Sequence, residues 1–381
     1  MATTRSAVIV GAARTPIGSF FGSLSSLPAT KLGSLAIEAA IERAGIDKTI
    51  VNEVIMGNVL SAGEGQAPAR QAALGAGLPV STECMTINKV CGSGLKSIML
   101  ASQAIRAGDA DIVVAGGMES MSNVPYYLLN ARQGLKMGHQ RLVDGMIHDG
   151  LWDVYNDYHM GSAAELCAET CHISRERQDE FSILSYQRAI DAQKQGKFKD
   201  EIVPVLIPQK KGDPLVIDSD EEPAKVRFDK IPTLRPVFKK DGTVTAANAS
   251  SINDGAAAIV LTSEEMAKDH GLNIIATIRE QATAAKEPQW FTTAPVDSIK
   301  KCLNKAGLKM DDIDLFEINE AFAVVSLVVT DQLGIDLGKV NVNGGAVALG
   351  HPIGASGTRI LVTLLYEMIR QKAKRGIASL C

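Results

Sequence analysis

Three short stretches of this chain combine residue types and spacings that chemistry can use. The first is Asn88-Lys89-Val90-Cys91-Gly92-Ser93-Gly94-Leu95-Lys96-Ser97. A cysteine stands there between an apolar strand pattern and a helix pattern, with glycines directly after it. Thiolate is favoured at a helix's positive end, and the backbone N–H groups there point at bound oxygen. The segment alone reads equally as a nucleophile or as a buried structural cysteine in a tight turn. The second stretch is Asn341-Val342-Asn343-Gly344-Gly345-Ala346-Val347-Ala348-Leu349-Gly350-His351-Pro352-Ile353-Gly354-Ala355-Ser356-Gly357. Five glycines around one histidine leave little side-chain bulk, which suits an imidazole presented to a ligand for proton transfer. The third, Glu317-Ile318-Asn319-Glu320-Ala321-Phe322-Ala323, puts a polar pair just after a buried strand. Ligands gather at such strand ends in α/β sheets, although a helix N-cap by Asn319 explains the pair equally well. Cys167, Cys171 and His172, with His148 and His159, have no zinc-like spacing and read as a helical face. No Gly-Lys-Ser/Thr loop occurs, and Gly116-Gly117 is too weak a signal for a dinucleotide site.

The elements that must carry these groups alternate. Apolar strand patterns at 6–10, 53–59 and 111–115 are interleaved with amphipathic stretches at 30–44 and 92–107, which argues α/β layering. The pattern also repeats. Residues 37–46 resemble residues 299–308 at an offset of 262, each a helix closed by Ala-Gly, then an acidic turn and an apolar strand. Glycine in that place suits a left-handed helix cap. At nearly the same offset, Cys91-Gly92-Ser93-Gly94 corresponds to the Gly-rich run around His351, each preceding a helix. A duplicated α/β unit is expected. Between the copies, residues 121–249 hold Trp152, most of the tyrosines and four of the six histidines, and read as an insertion.

Composition bounds the rest. With 381 residues the chain buries roughly 75% of its unfolded surface, so its core needs no disulfide or metal, and more than one structural unit is expected. A net charge of -4 gives no global basic field for nucleic acid or anionic lipid, and no apolar run reaches the roughly 18 residues of a membrane span. Residues 188–240 carry a local excess of three positive charges, as consistent with a solvated face as with a phosphate site. The strand pattern begins at Ala7, so no leader is expected, and six scattered cysteines suit a reducing cytoplasm, or a mitochondrion if a presequence was omitted.

These stretches, together with Ala12-Ala13-Arg14-Thr15-Pro16-Ile17-Gly18, Gly116-Gly117-Met118-Glu119-Ser120-Met121-Ser122, His159-Met160-Gly161 and Asn248-Ala249-Ser250, give the chain a family resemblance. It resembles the thiolases along essentially its whole length, in their short-chain acetyl-CoA acetyltransferase branch. The resemblance implies a five-layered α-β-α-β-α fold of two similar halves: residues 1–120 plus 250–272, an inserted loop domain at 121–249, and a second half at 273–381. It implies that Cys91 is acetylated by acetyl-CoA while His351 takes its proton, covalent catalysis that splits acyl transfer into two easier steps. Cys381 would then deprotonate a second acetyl-CoA, giving acetoacetyl-CoA and CoA. An unperturbed thiol of pKa ~8.5 cannot do this unless the enolate is stabilised as it forms, a task the resemblance gives to His351 and a water held by Asn319.

The same resemblance places pantetheine contacts at Ala249 and Ser250, an acyl-pocket wall at His159 and Met160, and nucleotide contacts at Lys225, Arg227 and Lys230. Tyr186, Ala246, Ala247, Ala249 and Val347 match the positions where a subset of the family binds potassium. No other cofactor is expected, since coenzyme A is substrate and product, and the expected assembly is a homotetramer with contacts near 122–127. Family members continue past the second cysteine through a Gly-rich turn into a final strand. A chain stopping at Cys381 would lack one donor of the second oxyanion hole, and its terminal carboxylate would raise the Cys381 pKa. Two alternatives follow, a thiolase of broader 3-ketoacyl-CoA range and an impaired acyl-CoA-binding protein. A decarboxylating 3-ketoacyl synthase, which pairs its cysteine with two histidines, fits the Cys381 and His159-Met160-Gly161 matches less well.

Overall fold

The computed structural model describes residues 5–381. The chain opens with strand β1 (Ala7–Arg14), whose eight residues are all buried, then the short β2 (Gly18–Ser19) and helix α1 (Ala29–Ala44). Strand β3 (Glu53–Gly57), helix α2 (Pro68–Gly75), strand β4 (Glu83–Ile87), helix α3 (Ser93–Ala107) and strand β5 (Ile112–Ser120) complete the first run. The chain then leaves the sheet. Three small hairpins follow, β6 (Tyr126–Tyr127) with β7 (Val143–Asp144), β8 (Trp152–Asp153) with β9 (Tyr158–His159), and β10 (Val205–Ile207) with β11 (Leu215–Ile217). Helices α4 (Met160–Thr170) and α5 (Arg175–Lys194) lie between the second and third of them. The chain returns as β12 (Asn253–Ser263), antiparallel beside β5, so the whole intervening segment is inserted between sheet neighbours.

The second run consists of α6 (Glu264–Asp269), β13 (Ala276–Thr277), α7 (Ala294–Ala306), β14 (Leu315–Ile318), α8 (Ala323–Leu333), α9 (Ala346–Leu349), α10 (Ser356–Gln371) and β15 (Gly376–Ser379). It copies the first run closely. Helices α1 and α7 both end on a left-handed glycine, Gly45 (φ 67°, ψ 30°) and Gly307 (φ 67°, ψ 31°), and β3 and β14 begin at the same offset of 262. The repeat read from the sequence is therefore a repeat of geometry.

Five layers result. The large sheet runs β13-β1-β12-β5-β3-β4, with β2 also on β12. One face packs on α1 and α2 through Leu32, Ile37, Ile41 and Ala72. The other packs on α3 and α10 through Ile98, Ala101, Ile105, Val362 and Leu365. Burial of both faces explains why its strands read as near-continuous apolar runs rather than as alternation. Beyond α10 lie β14 and β15, paired in parallel, and then α7 and α8, which cover Phe316 and Ile318.

The halves are alike in order, and among the described residues they differ in pairing. The large sheet places β12 between β5 and β1, whereas the counterparts of those two, β15 and residues 274–284, stand apart. Between them runs a groove of about 1040 Å³, lined by Thr277, Arg279, Gln281, Met368, Ile377 and Cys381 among others. No helix among the described residues is long and apolar enough to cross a membrane.

Candidate active site

Between β4 and α3 the chain makes a strained turn. Asn88 Oδ1 accepts from the Val90 N–H at 2.9 Å, and Ser93 Oγ accepts from the Lys89 N–H at 2.8 Å while donating to the Val90 carbonyl at 2.6 Å. These bonds hold Val90 at φ 47°, a left-handed conformation that a β-branched residue adopts only under constraint. Cys91 follows, turned toward the second half of the molecule. The two central helices meet closely there: a Cβ on Gly94 would lie 2.7 Å from Thr358 Oγ1, and one on Gly357 would lie 2.3 Å from the Leu95 nitrogen. That contact brings the Cys91 turn and the His351 loop, from opposite halves of the repeat, to a single point.

His351 Nε2 lies 3.3 Å from Cys91 Sγ. The other ring nitrogen, Nδ1, is 2.6 Å from Ser356 Oγ, whose hydroxyl donates to the Pro352 carbonyl at 2.9 Å. With its only proton committed to Pro352, the Ser356 oxygen must accept from Nδ1–H. The network thereby assigns the tautomer in which Nε2 is bare and accepts from the thiol. Asn253 Oδ1 fixes the histidine backbone by accepting from its N–H at 2.9 Å.

Burial sets the resting charges. It pushes the Cys91 thiol up to about 12, and it holds His351 down at about 3, with the positive charge of Arg359 a smaller second cause. The resting pair is therefore a neutral thiol on a neutral imidazole. The helix end, expected to favour thiolate, is outweighed by desolvation, so the proton must move to Nε2 as sulfur attacks. Cys381 is likewise pushed well above the usual thiol range, by burial and then by Cys91 beside it, where the sequence pointed to a terminal carboxylate.

Asn319 is wholly buried, and neither atom of its side-chain amide has a partner among the described residues. It does not cap a helix, since the N-cap of α8 is Phe322. Its backbone N–H donates to the Ser379 carbonyl at 2.9 Å, tying the end of β14 to the end of β15, two residues before Cys381. Glu320 is a clamp instead: it accepts from Ser185 Oγ (2.7 Å), Asn341 Nδ2 (2.8 Å) and the Val347 N–H (3.1 Å).

The remaining expected residues divide into two groups. Met160, Ala249, Tyr186, Val347 and Cys381 share one apolar cluster with Phe238 and Phe322. His159 stacks on Phe238 with ring centroids 4.8 Å apart, and its Nδ1 accepts from the Gly161 N–H to start α4. Ser250 donates both its N–H and its hydroxyl to the Ala321 carbonyl, directly after Asn319-Glu320. By contrast Lys225, Arg227 and Lys230 sit on exposed turns packed on α5, and no hydrogen bond or ion pair joins them to Cys91 or His351 among the described residues. Lys225 is held by Ser19 Oγ. Of the potassium positions, Ala247 is buried and Ala246 is exposed. Cys167 and Cys171 lie on or just after α4, and no group of three metal-binding side chains occurs among the described residues.

Two residues were missed as actors although their motifs were read. Ser356 sets the histidine tautomer. Glu119, in β5, accepts from Asn58 Nδ2 (3.0 Å) and from the N–H groups of Val59 (3.1 Å), Leu60 (3.1 Å) and Gly354 (2.8 Å), so one carboxylate fastens the His351 loop to the first half. An acidic residue among the glycines of 116–122 was the only signal.

Comparison with known proteins supplies the relatives of this geometry. Residues 7–265 match the family described as "Thiolase, N-terminal domain", and residues 272–381 match "Thiolase, C-terminal domain". Among curated proteins, Acetyl-CoA acetyltransferase 2 of Arabidopsis thaliana is 58% identical over 379 residues, covering 99% of this chain and 94% of the relative. Acetyl-CoA acetyltransferase of Pseudomonas aeruginosa is 55% identical over 375 residues, covering 98% and 95%. The crystal structure of the Acat5 thiolase from Ascaris suum in complex with coenzyme A superposes with a TM-score of 0.94 at 44% identity, over 99% of this chain and 96% of that one.

Proposed function

The chain belongs to the thiolase family, and from that premise we propose that it is an acetyl-CoA C-acetyltransferase, interconverting two acetyl-CoA with acetoacetyl-CoA and CoA. The observation that carries this is the Cys91 thiol 3.3 Å from an imidazole nitrogen left bare by Ser356. As Cys91 sulfur attacks the acetyl carbonyl, Nε2 takes the thiol proton. Collapse breaks the bond to the CoA sulfur, which leaves with the thiol proton of Cys381 while Nε2 keeps the proton from Cys91, and an acetyl thioester remains on Cys91. Cys381, now a thiolate, removes a methyl proton from a second acetyl-CoA. Its thioester oxygen gains the charge, opposite His351 and the orphaned amide of Asn319. The enolate carbon attacks the acetyl-Cys91 carbonyl, the bond to Cys91 sulfur breaks, that sulfur takes back the proton held on Nε2, and acetoacetyl-CoA is released.

Labelled acetyl-CoA should leave one acetyl group on Cys91, detectable by peptide mass spectrometry and discharged by free CoA. Cys91→Ala should carry none, and a wild-type chain that is never acetylated would overturn the reading. Met160, packed with Phe238 and Phe322, supports a short acyl pocket. Met160→Ala should therefore raise kcat/KM for longer 3-ketoacyl-CoA by roughly tenfold, a few methylenes' worth of pocket energy, while acetoacetyl-CoA changes little. Equal chain-length profiles for the two proteins would exclude Met160 as the wall.

Binding of the CoA nucleotide by Lys225, Arg227 and Lys230 belongs to the same reading, as does a potassium ion near Tyr186 and Val347. Unequal rates in potassium and sodium buffers would support the ion. A homotetramer fits the exposed Leu129, Leu135, Met137 and Leu142 between β6 and β7.

A further inference from the structure

Two arginines are buried among the described residues, and they are treated in opposite ways. Arg14 donates to Glu201 at 2.6 Å and to both oxygens of Asp220 at 2.7 and 2.9 Å. Arg359 is only 2% exposed, and none of its three guanidinium nitrogens has a hydrogen-bond partner among the described residues. One carboxylate oxygen comes near, Glu317 Oε2 at 3.9 Å from Nη1, and it too lacks a donor. A buried charge left this bare is costly, and orphaned buried groups of this kind ask for an explanation.

Its position supplies one. Arg359 lies in the first turn of α10, three residues after Ser356, so the two side chains are neighbours on that helix, and Ser356 is the residue that holds His351. On the strand below, Phe316 and Ile318 face the outer core, which turns Glu317 and Asn319 to the opposite face, toward α10. Arg359, Glu317 and Asn319 thus form one buried polar seam ending at the groups that face the thioester oxygen. A charge in such a water-poor interior acts over several ångströms. Burial first, and then the positive charge of Arg359, lower the proton affinity of His351. Burial also raises the Glu317 carboxyl to about 8, toward its neutral form, and lowers Arg359 from its usual value.

We propose that Arg359 is a positioning residue for enolate formation, its unpaired guanidinium supplying positive potential to the oxygen site of His351 and Asn319. This rests on the thiolase reading and adds a division of labour within it. The first half-reaction, attack by Cys91, puts a positive charge on His351, which the guanidinium does not favour; the second, loss of the methyl proton, puts a negative charge on the facing oxygen, which it does.

The test measures the half-reactions separately. Exchange of labelled CoA into acetyl-CoA reports acylation of Cys91, and exchange of acetyl methyl protons with deuterated water reports the enolate. Arg359→Met should slow methyl exchange about tenfold or more while CoA exchange stays within about threefold, and Arg359→Lys should recover most of the difference. Glu317→Gln, which keeps the shape and removes the carboxyl 3.9 Å from Arg359, should leave methyl exchange at or above the wild-type rate. Equal losses in both exchanges for Arg359→Met, or no loss in either, would overturn the proposal. If that variant does not fold, a Glu317→Gln rate of methyl exchange several-fold below wild type would overturn it alone. A wild-type chain inactive in both exchanges would sink the thiolase reading itself, a different failure.

Discussion

At the scale of single residues, the pair Cys91 and His351 shows how protonation follows from packing. The thiol sits at about 12 and the imidazole at about 3, both because burial disfavours their charged forms. Between those limits neither group titrates, so the pair is poised for coupled proton transfer rather than stored as an ion pair. This has a sign that alkylation can read. A thiol whose pKa lies above the range studied gains thiolate tenfold per pH unit, so the rate at which iodoacetamide alkylates Cys91 should climb tenfold from pH 7 to 8 and again from 8 to 9. A rate flat across that range, followed by mass spectrometry of the Cys91 peptide, would mean a preformed thiolate and contradict the assignment. Which residues meet at the candidate site was legible in the sequence: Cys91, His351 and Asn319 stood out by type and neighbours. What they are set to do was not, because the tautomer depends on one hydroxyl proton of Ser356 and the charges depend on burial, and neither is written in spacing.

At the scale of elements, the site exists because two equivalent helices touch. Helices α3 and α10 occupy matching places in the repeat and cross where Gly94 and Gly357 face each other's chains. The sequence showed the helices, the repeat and the glycines, and the bounds expected for α3 and β5 lie within a few residues of those observed. It did not show that the glycines are a spacer between halves, since a contact across some 260 residues leaves no local pattern. In Gly357→Ala the new Cβ would fall 2.3 Å from the Leu95 nitrogen, backbone that cannot swing aside, so α10 must move. Overpacking of this kind costs about 1–3 kcal/mol. The larger effect should fall on catalysis, because moving His351 by about 1 Å relative to Cys91 can cost roughly a hundredfold. The variant should remain folded by circular dichroism with a modestly lower Tm, while acetylation of Cys91 slows by about two orders of magnitude. A variant with normal acetylation would show that the two loops are held independently of the helices, Glu119 being the candidate.

At the scale of the whole molecule, the asymmetry between the sheets matters most. Strand β5 is paired on both sides, to β12 over all nine of its buried residues and to β3 over five. Its counterpart β15 pairs only with β14, and its other edge faces the groove along 274–284. The family resemblance pointed to this edge, since family members continue past the second cysteine into a final strand. The site spans both sheets. Asn319 follows β14, Cys381 follows β15, and the two strand ends are joined by the Asn319 N–H on the Ser379 carbonyl. Cys91 stands on the first half. A ligand spanning Cys91 and Asn319 binds only the arrangement in which that bond is made, and so stabilises it by mass action. Acetyl-CoA or CoA at saturation should then slow exchange at 315–319 and 376–380 more than anywhere in β3 or β5. Uniform slowing, or none in the second sheet, would mean that the second half does not form part of the bound site.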